Sequence, residues 1–139
     1  MFSGIPNMAQ TFGYVNASWT LRADLTSEYI CRLLNYMDEV GMKQATPTLR
    51  AEDADMQVRP WIDDFQGGYM TRSMHLFPRQ GEGPWRNTQD FAVDKKIVRK
   101  APIADSALKF SNPMGEPGAD VSVGSVSEGV SQKEKATAA

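Results

Sequence analysis

The 139-residue sequence predicts an α/β fold with one long helix, short strands and two shorter helices, followed by a disordered tail. Three observations predict this fold. Apolar residues recur with helical spacing from 21 to 40, short apolar segments are bounded by proline or glycine, and the final segment lacks aromatic residues. The formal net charge of −2 gives no electrostatic reason to expect nucleic acid or an anionic membrane as a partner.

The first element predicted is a short buried strand at residues 7–12, which ends at Gly13. Glycine lets the backbone turn there, and Asn16 and Ser18 are both candidate N-caps for the helix that follows. A helix start offers partial positive charge to an electron-rich ligand. The first turn, residues 16–20, is therefore the functional candidate of this region.

A long amphipathic helix is predicted next, and Gly41 is a natural stop for it. We expect its apolar stripe to face the core. The stripe contains Leu21, Leu25, Tyr29, Ile30, Leu33, Leu34, Tyr36 or Met37, and Val40. The charged residues are expected on the outer face. They are Arg22, Asp24, Glu28, Arg32 and Asp38.

The sequence also argues against a disulfide, a metal site and a membrane span. Cys31 is the only cysteine, so the chain has no internal disulfide or cysteine-based zinc site, and we expect a buried structural thiol. The carboxylates at 52–55 lack the glycine and terminal glutamate of a calcium loop, so we expect no metal site there. No window approaches transmembrane length and no targeting segment is recognisable, so we expect a cytoplasmic protein without a membrane span.

Beyond Gly41 the sequence predicts shorter elements. They are strands at 46–49 and 56–58, a short helix within 69–77, a helix from 87 onward and an edge strand at 108–110. His75 is the only histidine, and no nucleophile or carboxylate lies beside it in a catalytic spacing, so we name no catalytic residue. From Ser111 onward the chain is rich in Gly, Ser, Pro, Glu, Val and Ala, which predicts a disordered tail.

Two segments carry a resemblance to a known family. Residues 12–25, FGYVNASWTLRADL, resemble the end of the FAD domain in flavin-dependent monooxygenases, most closely the ethionamide-activating type within the Baeyer-Villiger branch. Residues 77–91, FPRQGEGPWRNTQDF, resemble a segment toward the C-terminus of the same subgroup, with Asp90 and Phe91 in place of its usual Asn-Tyr. The two motifs occur in family order, which raises the resemblance above a chance match.

The resemblance implies an FAD- and NADPH-dependent enzyme that inserts oxygen into ketones or oxidises sulfur. It also implies that the first turn of the long helix faces the pyrimidine side of the flavin. The residues implied to line the flavin are Asn16, Ala17, Ser18, Trp19 and Thr20. The residues implied for the substrate or NADPH cleft are Tyr14, Trp85 and Arg86.

Enzymes of this family bind two dinucleotides through two GxGxxG turns, and this sequence contains neither. We therefore interpret the chain as the C-terminal fragment of a flavoprotein with two dinucleotide-binding domains. Residues 1–41 would end the FAD domain, residues 42–110 would form an extension packed on it, and residues 111–139 would form the tail.

This interpretation also predicts how the chain behaves alone. We expect it to hold neither FAD nor NADPH and to be inactive. Its expected partners are the missing N-terminal nucleotide-binding domains or a second copy of itself. The alternative is a non-catalytic binding or interaction module derived from the same fold.

Overall fold

The computed structural model describes residues 1–63 and 67–112, where helices and short strands are mixed as predicted. The described elements are α1 (Trp19–Val40), β1 (Gln44–Pro47), α2 (Gly68–Ser73), α3 (Phe91–Lys100) and β2 (Leu108–Ser111). Short 3-10 turns occur at Ala51–Asp53, Met74–Leu76 and Gly83–Trp85. An origin in a flavoprotein with two dinucleotide-binding domains stays a prediction.

The helix α1 confirms the strongest sequence pattern. It ends at Gly41, whose φ of 68° is the left-handed conformation that glycine adopts without steric cost. The N–H of Met42 closes the end of the helix with a 2.9 Å hydrogen bond to the carbonyl of Met37. The sequence predicts both the helix and its end because each depends on residues that are near one another in the chain.

The burial of α1 differs from the prediction. Leu25 and Met37 are buried, whereas Leu34 of the predicted stripe is 53% exposed. Cys31 is also exposed, so the expectation of a buried thiol was wrong. The described residues cover only part of the surface of α1. The predicted apolar stripe is wider than this covered part, so some of its side chains are exposed.

Part of the predicted outer face of α1 packs against α3. Glu28 accepts two hydrogen bonds from Arg99, at 2.8 and 2.6 Å. The guanidinium of Arg32 donates to the carbonyls of Val98 and Ala101 at the end of α3. The prediction that the charged residues take the outer face of α1 was therefore wrong for Glu28 and Arg32, and also for Arg22, which lies 3.5 Å from Asp94 of α3. Helix periodicity does not specify which polar side chains meet a second helix.

The two strands form an antiparallel pair with Gln44 opposite Ser111 and Pro47 opposite Leu108. Ala45 and Leu108 pack on Met37 in a small core that Leu33 and Phe110 extend. The predicted last strand is confirmed, whereas β1 begins two residues before the predicted 46–49 segment.

The beginning of the predicted tail belongs to this sheet. Ser111 pairs in β2, and the amide of Asn112 donates to the carbonyl of Gly41 at 3.2 Å and accepts from the N–H of Lys43 at 3.0 Å. The rest of the predicted tail, residues 113–139, lies outside the described residues.

The predicted strand at 7–12 is absent, and residues 7–11 are exposed. Asn7 has a φ of 52°, which is incompatible with a strand. Its backbone N–H donates to the carbonyl of Ala45 at 3.0 Å, and its side-chain oxygen accepts from the N–H of Ala45 at 2.9 Å. Asn7 thus occupies the edge of β1 at one point and replaces a strand ladder there.

Two other predicted elements differ in extent or kind. The predicted strand at 56–58 is absent, and Arg59 instead forms an isolated bridge with Gln80. The helix predicted from 87 onward begins at Phe91, because the Asp90 side chain caps it by accepting from the N–H groups of Ala92 and Val93. Within the described part of the chain, no helix is both long and apolar enough to cross a bilayer.

Candidate functional site

The first turn of α1 is open to solvent. Residues 15–20 are all exposed, so all five predicted flavin-lining residues are accessible. Ser18 occupies the N-cap position, but its side chain makes no capping hydrogen bond to a backbone N–H of the helix, and the first turn carries no acidic residue. The hydroxyls of Ser18 and Thr20 lie 2.8 Å apart. The positive end of the helix dipole is therefore presented outward beside two small hydroxyl groups.

An aromatic row lies beside this turn. The ring of Phe12 lies 5.2 Å from that of Trp19 and 6.4 Å from that of Trp61, and Phe2 stacks on Trp61 at 5.6 Å. Trp19 remains 55% exposed. A Cβ at Gly13 would lie 2.3 Å from the Trp19 ring, so only glycine admits this approach. The absence of a side chain at Gly13 thus allows the Trp19 ring to pack against the backbone there.

Tyr14 lies in the interior, with 2% of its surface exposed. Its hydroxyl donates a 2.8 Å hydrogen bond to Oδ2 of Asp94, which also lies 3.5 Å from Nη2 of Arg22. The Arg22 guanidinium lies over the Tyr14 ring, and Thr88 donates to the other oxygen of Asp94. Burial, followed by the hydrogen bond to Asp94, raises the pKa of Tyr14 well above its usual value. This phenol is a neutral donor inside the chain and does not border an open cleft here.

Trp85 and Arg86 lie in different surroundings. Trp85 is 6% exposed, and its Nε1 donates to Oδ2 of Asp53 at 2.9 Å. Arg50 donates to the same carboxylate through its side chain and its backbone, and these hydrogen bonds hold the pKa of Asp53 well below its usual value. Arg86 is exposed. The structure therefore separates an internal indole anchor at Trp85 from an accessible guanidinium at Arg86.

Three amide side chains of the second motif were missed as functional candidates. Asn87 is a junction among them, because its Oδ1 accepts from Arg22 at 2.7 Å and from Gln89 at 3.2 Å. Its backbone N–H donates to Oε1 of Gln80 at 2.9 Å, and its Nδ2 donates to the carbonyl of Trp61 at 2.8 Å. The signal that could have found them is three amide residues close together in a motif without catalytic spacing.

The described residues offer little else that resembles a site. A pocket of about 220 Å³ is lined by Pro60, Met74, His75, Phe77 and Arg79. That volume is below the roughly 300 to 1,000 Å³ of ordinary ligand pockets. Residues 1–63 and 67–112 contain no cluster of three or more His, Cys, Asp or Glu suited to a metal ion.

A flavin can be tested against these groups. The open helix start at Ser18 to Thr20 fits the electron-rich carbonyl edge of an isoalloxazine ring, since N–H groups and hydroxyls are the donors such an edge needs. The adenosine diphosphate part of FAD needs a glycine-rich turn, which the sequence lacks. The sequence thus supplies candidate donors for the ring edge and no turn of that kind for the adenosine diphosphate part.

Comparison with known proteins gives a consistent set of relatives. The chain is 47% identical over 112 residues to the FAD-containing monooxygenase EthA of Mycobacterium tuberculosis, a match that covers 80% of the chain. It is 45% identical over 112 residues to EthA of Mycolicibacterium smegmatis and 38% identical over 111 residues to "Probable FAD-binding monooxygenase AlmA" of Acinetobacter baylyi. These two matches cover 80% and 79% of the chain.

The chain spans about a fifth of the length of these relatives, since each match covers 22% of the longer protein. No family model and no solved structure matches the chain.

Proposed function

The chain is related in sequence to a part of the FAD-containing monooxygenases, and from this premise we propose that it is the flavin-contacting segment of such an enzyme. The observation that carries the proposal is the exposed start of α1, which has neither a side-chain cap nor an acidic residue in its first turn. We further propose NADPH as the electron donor and a cytoplasmic setting, where that donor is supplied.

In the proposed enzyme, bound FAD supplies the redox chemistry that activates oxygen. The first turn of α1 would supply hydrogen-bond donors and partial positive charge to the ring edge that becomes electron-rich on reduction. The Ser18 and Thr20 hydroxyls are hydrogen-bonded to each other, so the pair adds one further donor, which either hydroxyl can supply by reorienting. Trp19 and Phe12 would offer an apolar surface to the cofactor or substrate at the same end of the helix, where their rings contact each other.

The proposed reactions are oxygen insertion into ketones and oxidation of sulfur. Other parts of the enzyme would hold the nucleotide portions of both cofactors, since this sequence has no GxGxxG turn. We therefore propose that the chain by itself is inactive, and that its partner is the nucleotide-binding part of the enzyme.

In the test, this chain replaces the matching segment of the M. smegmatis relative. The flavin midpoint potential of the resulting chimera is then measured. Thr20→Leu removes a hydroxyl from the first turn. We expect the potential to become more negative by about 15 to 30 mV, as the reduced ring loses one polar interaction. Thr26→Leu is the matched control, because Thr26 lies farther along α1 and its hydroxyl donates to the carbonyl of Arg22.

Equal potentials in both variants and in the unmodified chimera would show that the first turn does not contact the flavin. A folded chimera that carries no flavin would instead favour the non-catalytic interaction module. NADPH oxidation by the unmodified chimera, with oxygenation of a ketone or a thioamide, would support the proposed reactions.

A further inference from the structure

We propose that Gln89 is a positioning residue that holds the turn before α1, and so makes the second motif a clamp for the first. The turn is residues 13–15. That this turn presents a flavin-facing helix start rests on the proposed function, whereas the clamp itself rests on the contacts of one amide group.

The Gln89 amide reaches the backbone on both sides of Tyr14. Its Oε1 accepts from the N–H of Val15 at 2.9 Å, and its Nε2 lies 3.5 Å from the carbonyl of Gly13. A primary amide can pair with a backbone N–H and a backbone carbonyl at once, as a neighbouring strand would. The turn has an exposed Val15 on one side, so this side chain supplies an interaction that packing does not provide.

The clamp is itself held rigidly. Gln89 has a φ of 50°, a left-handed conformation that costs a non-glycine residue energy and persists only where its surroundings impose it. Asp90, the next residue, caps α3 through two hydrogen bonds. The backbone at Gln89 is therefore fixed by the start of α3.

A second contact ties the clamp to α1. Nε2 of Gln89 donates to Oδ1 of Asn87 at 3.2 Å, and the same oxygen accepts from Nη1 of Arg22 at 2.7 Å. The buried amide of Asn87 thus connects Gln89, which holds the turn before α1, with Arg22 in the first turns of α1. Removing the Gln89 side chain should release the N–H of Val15 and leave α1 in place, since Glu28 and Arg32 still bind α3.

Hydrogen exchange of single amides in the 139-residue chain tests this inference. Gln89→Met removes the acceptor of the Val15 N–H with little change in volume. Gln89→Gly removes it in a residue that adopts a positive φ freely, so folding is not at risk from backbone strain. We expect the Val15 amide to exchange about tenfold faster in both variants, and the Leu25 amide inside α1 to change by less than about twofold.

Arg99→Met is the matched control, because it breaks one contact between α1 and α3, the ion pair with Glu28, and leaves Gln89 untouched. It should not accelerate Val15 relative to Leu25. Unchanged Val15 exchange in both Gln89 variants would overturn the clamp, as would equal acceleration of Val15 and Leu25.

A second measurement separates the clamp from the proposed function. In the chimera with the M. smegmatis relative, Gln89→Gly should shift the flavin potential in the same direction as Thr20→Leu. If only Thr20→Leu shifts it, the clamp has no role in positioning the flavin-facing turn and the positioning inference is overturned. If neither shifts it, the proposed function is wrong, and the exchange of Val15 alone decides whether Gln89 holds the turn.

Discussion

The hydroxyl of Tyr14 donates a 2.8 Å hydrogen bond to Oδ2 of Asp94, a residue 80 positions farther along the chain. Tyr14 lies in the first motif, just before α1, and Asp94 lies in the first turn of α3. Arg22 and Thr88 contact the same carboxylate, so a single buried acid connects both helices to the loop before α3. This connection can be tested by substitution and by pH.

Tyr14→Phe should destabilise the chain by about 1 to 2 kcal/mol, since it removes the donor and leaves a buried acceptor in place. The loss should stay at this modest level because Arg22 and Thr88 remain on Asp94. Urea unfolding at neutral pH measures the difference. Stability equal to that of the native sequence would mean that the hydrogen bond contributes nothing beyond ring packing.

Alkaline pH should destabilise the native sequence more than the Tyr14→Phe variant. The pKa of Tyr14 is raised in the folded state, so its contribution is fully present below the unfolded-state pKa of about 10 and falls as the pH rises above it. Burial also raises the pKa values of Tyr29 and Tyr36, so the variant should keep a weaker alkaline slope. Unfolding measured from pH 8 to 11 checks this, and identical slopes would contradict it.

Asp53→Asn should make stability less sensitive to acid. The hydrogen bonds from Arg50 hold the pKa of Asp53 below its usual value, so this stabilisation is present above the unfolded-state pKa of about 3.9 and is lost as the pH falls below it. Unfolding followed by tryptophan fluorescence between pH 6 and 2 measures the effect. Asp55→Asn is the control, because Asp55 is exposed and lies only two positions away. Equal flattening by both changes would argue against a special role for Asp53.

Gly13→Ala should displace the Trp19 side chain, since the added Cβ would lie 2.3 Å from its ring. Loss of the contact with Phe12 should cost about 0.5 to 1.5 kcal/mol. Fluorine NMR of 5-fluorotryptophan-labelled protein should show the Trp19 signal moving while that of Trp85 stays. Gly68→Ala is the control, because its Cβ would meet only Nη1 of Arg72 at 3.5 Å. An unmoved Trp19 signal would show that the backbone shifts instead.

Arg32→Met should cost more stability than Arg99→Met. Arg32 donates to two carbonyls at the end of α3, where the helix dipole also stabilises a cation. Loss of the Arg32 guanidinium should therefore cost about 1 to 3 kcal/mol. Arg99 pairs with Glu28 in a half-exposed position that water screens. Thermal melting of both variants at low and high salt compares them. A larger loss from Arg99→Met would reverse this assignment of the helix contact.

The sequence itself determined the elements that depend on neighbouring residues. The apolar repeat and Gly41 predicted α1 and its end, and the segment 108–110 was predicted as the edge strand that became β2. The two motifs predicted the relationship to flavin monooxygenases, which the relatives confirm. These signals survive because helix periodicity, a left-handed glycine and a motif are local properties of the chain.

Only the tertiary structure decided which side chains meet. Tyr14 reaches Asp94, Trp85 reaches Asp53, and Gln89 reaches Val15 across separations of 80, 32 and 74 residues. Asn7 forms hydrogen bonds with Ala45 at the edge of β1, in a segment that was predicted to be a strand. No local rule specifies such pairs, because each forms only after other elements have brought two distant polar groups within hydrogen-bond distance and removed the competing water.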